Sequence, residues 1–248
     1  MIRLKNERQI EGIRASCAML SEMYEALKPL VKPGVTPKEL DAFAEEFIRA
    51  RGGKPAFLGY EGYPATLCVS ANEVVIHGIP HDRPLAEGDI VGIDSGIELD
   101  GYFSDAAITL PVGTISAEAQ RLLDVTRECL DLAIAHIVPH ARISDISRAV
   151  FSHATKNGFK VVRQYCGHGV GLEIHEDPQI PNYVSVGPNP RIMPGMVLAI
   201  EPMINIGTSD VRVLDDDWTV VTMDGSLSAH FEHTVLVTND GYEVLTRW

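Results

Sequence analysis

Two stretches far apart in this chain read alike. Gly88-Asp-Ile-Val-Gly-Ile-Asp94 and Gly195-Met-Val-Leu-Ala-Ile-Glu201 each run six residues from a glycine, through an apolar strand, to a carboxylate. A second pair follows in the same order, Tyr102-Phe-Ser-Asp105-Ala-Ala-Ile and Ala229-His-Phe-Glu232-His-Thr-Val. The segments before them repeat too. Ile10, Ile13, Cys17, Leu20, Tyr24 and Leu27 line one helical face that stops at Lys28-Pro29. A second helix opens at Thr36-Pro37-Lys38-Glu39, a capping-box pattern, and ends at Arg51-Gly52-Gly53. Later, Ser116 caps a helix carrying Leu122, Leu123, Thr126, Cys129, Leu130, Ala133 and Ile137, and Ser144 caps another closed at Asn157-Gly158. Thr36 precedes Asp94 by 58 residues and Ser144 precedes Glu201 by 57. Four ordered matches point to duplication. The expected fold is α+β, two pseudo-twofold halves of roughly 1–112 and 113–248 around one central antiparallel sheet flanked by helices. No Pro/Gly/Ser-rich linker divides them, so residues 1–248 read as a single domain. The carboxylates are 11 residues apart in the first half and 31 in the second. The surplus, around Asp210 to Ser226, reads as an added hairpin.

Composition narrows the function. Thirty-four acidic against 21 basic side chains give a net charge of −13, the wrong sign for a nucleic-acid partner. At 45% hydrophobic residues the chain has ample material for a core. No apolar run approaches the ~20 residues a bilayer demands, so no membrane is expected, and the charged start MIRLKNERQIEGIR lacks the apolar stretch of a signal peptide. Cys17, Cys68, Cys129 and Cys166 are scattered without a CxxC, which suits a reducing, cytoplasmic setting. With no heptad repeat, a monomer is expected.

A carboxylate at the end of an apolar strand is costly to bury without compensation. One such residue is ordinary; two from each half, in register, are not. A pseudo-twofold axis brings all four to the middle, where their charges repel and raise one another's pKa. Divalent metals would neutralise them, and His168, in Gly167-His-Gly-Val-Gly171, offers a nitrogen ligand with glycines on both sides for close backbone approach. GHGVG lacks the GxGxxG spacing of a dinucleotide site, and HExxH is absent. His77 follows an apolar strand, Val69 to Ile76, and alone reads as a loop histidine. His81, His136, His140 and His153 read as solvent-facing or structural.

GYEGYPATLCVSANEVVIHGIP, GDIVGIDSGIELDGYFSDAAIT, GHGVGLEIHEDP, PGMVLAIEPM and SLSAHFEHTVLVT, in this order, resemble the motifs of type I methionine aminopeptidases over essentially the whole chain. The resemblance implies the duplicated pita-bread fold and a hydrolase that removes the initiator methionine of nascent proteins when the second residue is small. It implies two divalent ions (Co, Mn, Fe or Zn) on Asp94, Asp105, His168, Glu201 and Glu232. Asp105 and Glu232 would bridge them, Asp94 would complete one, and His168 with Glu201 would complete the other. Glu201 would also shuttle a proton, His175 would steady the carbonyl oxygen, and His77 would contact the scissile amide. Phe57, Tyr60, Tyr63, Cys68 and Trp218 would form the methionine pocket, where a thioether suits aromatic rings and sulfur. A monovalent cation near the backbone of Asn72, Val74 and Ser228, and transient ribosome contact, belong to the same expectation.

Two positions depart from the family's commonest pattern: His230 replaces a frequent glutamine, on one strand face with Glu232, and Ile174 stands where an aromatic is common. The stretch between Glu201 and Glu232 leaves little room for the helical insertion of type II enzymes. Xaa-Pro aminopeptidases and prolidases carry a separate N-terminal domain, whereas here the repeat begins almost at residue 1. A non-enzymatic peptide-binding module would be expected to lose metal ligands, and all five remain.

Overall fold

The computed structural model describes residues 1–248. Four long helices form where the sequence places them: α1 (Glu7–Leu27), α2 (Pro37–Ala50), α3 (Ala117–Ala135) and α4 (Ile143–Lys156). Asn6 and Gln9 close a reciprocal capping box on α1, Thr36 and Glu39 another on α2, and the Ser116 hydroxyl accepts the Ala119 N–H on α3. Each such cap contributes about 1 kcal/mol. The fourth cap differs from expectation. Arg142, not Ser144, precedes α4, and its N–H donates to the Asp145 carboxylate at 2.9 Å. Ser144 lies within the first turn, where its N–H donates to Asn189 Oδ1 and its hydroxyl accepts from Asn189 Nδ2. A residue 45 positions away has engaged the hydroxyl that local spacing assigns to the cap.

The strands also depart from a single sheet. They form four sheets, all antiparallel. In the first half Ile90–Leu99 and Tyr102–Pro111 make a ten-residue hairpin, and Cys68–Ala71 flanks its first strand with Cys68 opposite Asp94. The second half holds a five-stranded sheet in which Val197–Ile200 lies between His233–Val237 and Cys166–Gly169. Along one seam between the halves, threonine hydroxyls stand in for ladder groups. Thr234 Oγ1 donates to the Asp105 carbonyl and accepts the Asp105 N–H. Ala107 and Glu232 form an isolated bridge, and Thr109 Oγ1 links both backbone groups of His230. A β-branched residue with its own donor and acceptor thus continues the register where the strands diverge. The expected single strand Val69–Ile76 is likewise broken, into Cys68–Ala71 and Val74–Ile76, by a turn at Asn72 with φ +57°. The anticipated hairpin is present, as Val211–Val213 against Val220–Thr222, and it extends along Val74–Ile76.

The main core contains 42 buried residues drawn from both halves. Helix α1 packs beneath the first hairpin, where the buried Tyr24 hydroxyl reaches the Ile93 and Ala106 carbonyls. Ile93 and Ala106 are the chain neighbours of Asp94 and Asp105. The helix therefore braces the strands that present two of the carboxylates.

Candidate metal centre

Strand alternation accounts for the convergence. Asp105 lies opposite Gly96, and Asp94, two residues from Gly96, shares its face, so the two carboxylates are diagonal neighbours. In the second half His168 lies opposite Ala199, and Glu201 follows two residues later on the same face. The glycines beside His168 are required there. A Cβ on Gly167 would stand 2.4 Å from the Ala199 carbonyl, and one on Gly169 would stand 2.3 Å from the Asp177 carbonyl. Only glycine lets both neighbouring strands approach.

Ligand atoms of Asp94, Asp105 and Glu232 lie within 4.8 Å of one another, as do those of His168, Glu201 and Glu232. The two triads share Glu232. A third grouping, of Asp105, His168 and His175, overlaps both. His168 Nε2 stands 3.3 Å from Glu201 Oε1 and 3.7 Å from Asp105 Oδ2. Its Nδ1 is 2.9 Å from the Gly169 carbonyl, which can only accept, so the ring proton sits on Nδ1 and the Nε2 lone pair is free.

The electrostatics of this cluster are unfavourable without a cation. Burial, with the charge of Glu201 adding to it, pushes the Asp94 carboxyl up to about 7. Burial and the neighbouring carboxylates raise Asp105 and Glu232 well above the ordinary carboxylate range, and burial does the same to Glu201. Asp94 Oδ1, Asp105 Oδ1 and Glu232 Oε1 are buried without a hydrogen-bond partner. No lysine or arginine pairs with any of the four; the ion-pair partners within reach are His168 and His230. Orphaned carboxylate oxygens around a shared residue, with one imidazole lone pair, are a donor set that divalent ions satisfy.

A cavity of about 390 Å³ takes in all five expected ligands, both expected catalytic histidines and all five pocket residues. His77, at φ +58°, has its ring edge-on to Tyr165 and Trp218, and burial lowers its pKa to about 4. His175 stands at the exposed mouth, its ring centroid 4.4 Å from that of His168, its Nδ1 3.0 Å from the Tyr60 hydroxyl and its pKa lowered by desolvation. Phe57, Tyr63 and Cys68 are buried in one cluster, and Trp218 meets Tyr63 edge-on at 5.0 Å. Burial keeps the Cys68 thiol protonated. Ile174 is buried in the same wall, packed so closely that a Cβ on Gly96 would stand 2.9 Å from its Cδ1.

Tyr165 and Cys166 also line the cavity, although the sequence reading assigned them no role. Their position directly before the GHGVG segment was the available signal. His230 does more than share a face with Glu232: it lies within the cavity, with Nε2 3.6 Å from Glu201 Oε2. Near the expected monovalent site, the Asn72 carbonyl accepts the Ser228 N–H at 2.9 Å, while Val74 pairs with Val221.

Comparison with known proteins agrees with this geometry. Residues 11–239 match the model of metallopeptidase family M24. The chain is 54% identical to a methionine aminopeptidase of Treponema pallidum, over 99% of this chain and 96% of that one. A crystal structure of methionine aminopeptidase from Thermotoga maritima superposes with a TM-score of 0.97 at 42% identity, covering 100% of both chains. The prolidase of Pyrococcus furiosus shares the fold at a TM-score of 0.81 and 24% identity, over 99% of this chain but 65% of that one. The chain belongs to the metallopeptidase family M24.

Proposed function

We propose that this protein is an aminopeptidase that removes the N-terminal methionine from peptides and nascent proteins, using two divalent ions held by Asp94, Asp105, His168, Glu201 and Glu232. The observation that carries the reading is the pair of donor triads sharing Glu232 at the base of a cavity walled by aromatic rings and a thiol. When bound, such ions supply Lewis acidity that activates water and polarises a carbonyl. Which of Co, Mn, Fe or Zn serves is left open by a donor set that suits them all.

The chain's own groups supply the remaining steps. Glu201, its carboxyl raised by burial, is suited to accept a proton from attacking water and pass it to the leaving amine. With the Tyr60 hydroxyl, 3.0 Å away, donating to His175 Nδ1, the ring proton would sit on Nε2, placed to hydrogen-bond a carbonyl oxygen as it gains charge. His77, kept neutral by its surroundings, is suited to contact the scissile amide. Phe57, Tyr60, Tyr63, Cys68 and Trp218 enclose an unbranched thioether, and the crowded metal wall favours a small second residue.

The proposal treats residues 1–248 as one catalytic domain, supported by the core shared between halves. It includes a monovalent cation at Asn72, Val74 and Ser228, supported by the adjacency of the Asn72 and Ser228 backbones. It further takes the protein as a cytoplasmic monomer with transient ribosome contact; no helix is long and apolar enough to cross a membrane. An assay of Met-Ala-Ser against Xaa-Pro peptides tests the specificity. Faster release of methionine is expected, and faster cleavage before proline overturns the assignment.

A further inference from the structure

His230 ends the strand Ser228–His230, with its backbone N–H and carbonyl both held by Thr109 Oγ1, at 2.9 and 2.8 Å. The side chain is 4% exposed and lines the cavity, and Nε2 has no hydrogen-bond partner. It stands 3.6 Å from Glu201 Oε2, while the other oxygen of that carboxylate stands 3.3 Å from His168 Nε2. Glu201 thus lies between two imidazoles, one facing each oxygen. A separation of 3.6 Å is too long for a hydrogen bond. It is close to the roughly 3–3.5 Å between two donor atoms that each sit about 2.0–2.2 Å from a shared ion.

We propose that His230 is a sixth donor of the metal centre, adding a second imidazole nitrogen beside Glu201. The inference rests on the metallopeptidase reading and deepens it. With His168, Glu201 and Glu232 alone, that side of the centre offers a single nitrogen among carboxylate oxygens. A second nitrogen there favours borderline ions such as Co²⁺ and Zn²⁺ over hard ions such as Mn²⁺.

The test uses the full chain, stripped of metal and titrated with Co²⁺, Zn²⁺ or Mn²⁺ separately, for the native protein and His230→Gln. Calorimetry gives the affinity of each equivalent, and the visible absorption of Co²⁺ reports its donors. In His230→Gln one equivalent is expected to bind Co²⁺ and Zn²⁺ roughly tenfold or more weakly. Its Co²⁺ spectrum changes, the other equivalent is unaffected, and Mn²⁺ affinity moves by less than about threefold. Superimposable spectra and equal affinities overturn the proposal. Should the variant fail to fold, anomalous diffraction from zinc-loaded native protein decides instead: an ion about 2.0–2.1 Å from His230 Nε2 supports the donor role, and none within bonding distance removes it. A failure of the metallopeptidase reading looks different, because then neither protein takes up an ion tightly.

Discussion

Asp94 and Asp105 leave the first half on one hairpin, whereas Glu201 and Glu232 leave the second on strands separated by the Val211–Thr222 hairpin and its flanks. The tight turn of the first hairpin is Asp100-Gly101, both at positive φ (+52° and +81°), as a two-residue connection needs. The longer excursion of the second carries Trp218 into the cavity wall. Strand register sharpens the contrast. Gly92 and Ala199 each lie two residues before a carboxylate; Ser70 pairs with the first and His168 with the second. Phe103 and His230 likewise precede Asp105 and Glu232 by two residues. The duplicated frame therefore brings carboxylates from both halves together, while the second half brings His168, His230 and Trp218 to the same cavity.

The contrast predicts unequal losses. Removing a carboxylate on the seam, by Asp105→Ala or Glu232→Ala, should cost both metal and turnover, with kcat/KM falling by roughly a thousandfold or more, about 4 kcal/mol. Near-native turnover in either variant would break the shared-donor arrangement. His168→Ala should lower the affinity of one metal equivalent and reduce kcat by about a hundredfold or more. Ser70→Ala, at the matching place in the first half, should leave kcat within about twofold and cost only about 1 kcal/mol of stability, for the Gly78 N–H it accepts. Equal losses in the two would erase the asymmetry. His175→Ala should lower kcat about a hundredfold, with little change in metal content by elemental analysis. Trp218→Ala, which removes the edge-on partner of Tyr63, should raise KM for Met-Ala-Ser about tenfold and move kcat little.

The smallest effect is on pH. Asp94, raised to about 7, and Asp105, Glu201 and Glu232, raised well above the ordinary carboxylate range, keep protons in the metal-free folded state that an unfolded carboxylate has already lost. The buried histidines pull the other way near pH 6.5, where an unfolded imidazole is still about half protonated, and that pull fades by about pH 7.5. Metal-free protein should therefore lose stability as pH rises from about 7.5 to 8.5, because the folded state binds more protons there. Divalent ions should bind with proton release, and more tightly as pH rises through 7. Calorimetry in buffers of differing ionisation enthalpy measures that release, and unfolding midpoints across the window measure the slope.

What local rules govern was legible in the sequence: the repeat, the Thr36 and Ser116 caps, and the alternation that aligns Asp94 with Asp105. The resemblance supplied the donor set, the two histidines and the pocket residues that share one cavity. Misread features answer to distant partners. Asn189 engages Ser144, and Asn72, whose amide donates to Asp89, turns a strand that its apolar run makes continuous. Thr109 ties the first-half sheet to the strand of His230 and Thr234 ties it to the five-stranded sheet, three sheets that the repeat alone suggests are one. The buried Lys5–Glu176 pair is a feature for which the sequence carries no sign at all. It ties the N-terminal segment beneath the loop that bears His175, and no spacing rule connects residues 171 positions apart.

The central claim is that carboxylates from both halves act together through bound ions. Protein stripped with a chelator and titrated with one divalent ion at a time, while methionine release from Met-Ala-Ser is followed, tests it most directly. The account predicts negligible release before titration, activity that returns in step with ion uptake, and no return in Asp105→Ala or Glu232→Ala. Full release by stripped protein, indifferent to added ion and to both substitutions, would contradict it.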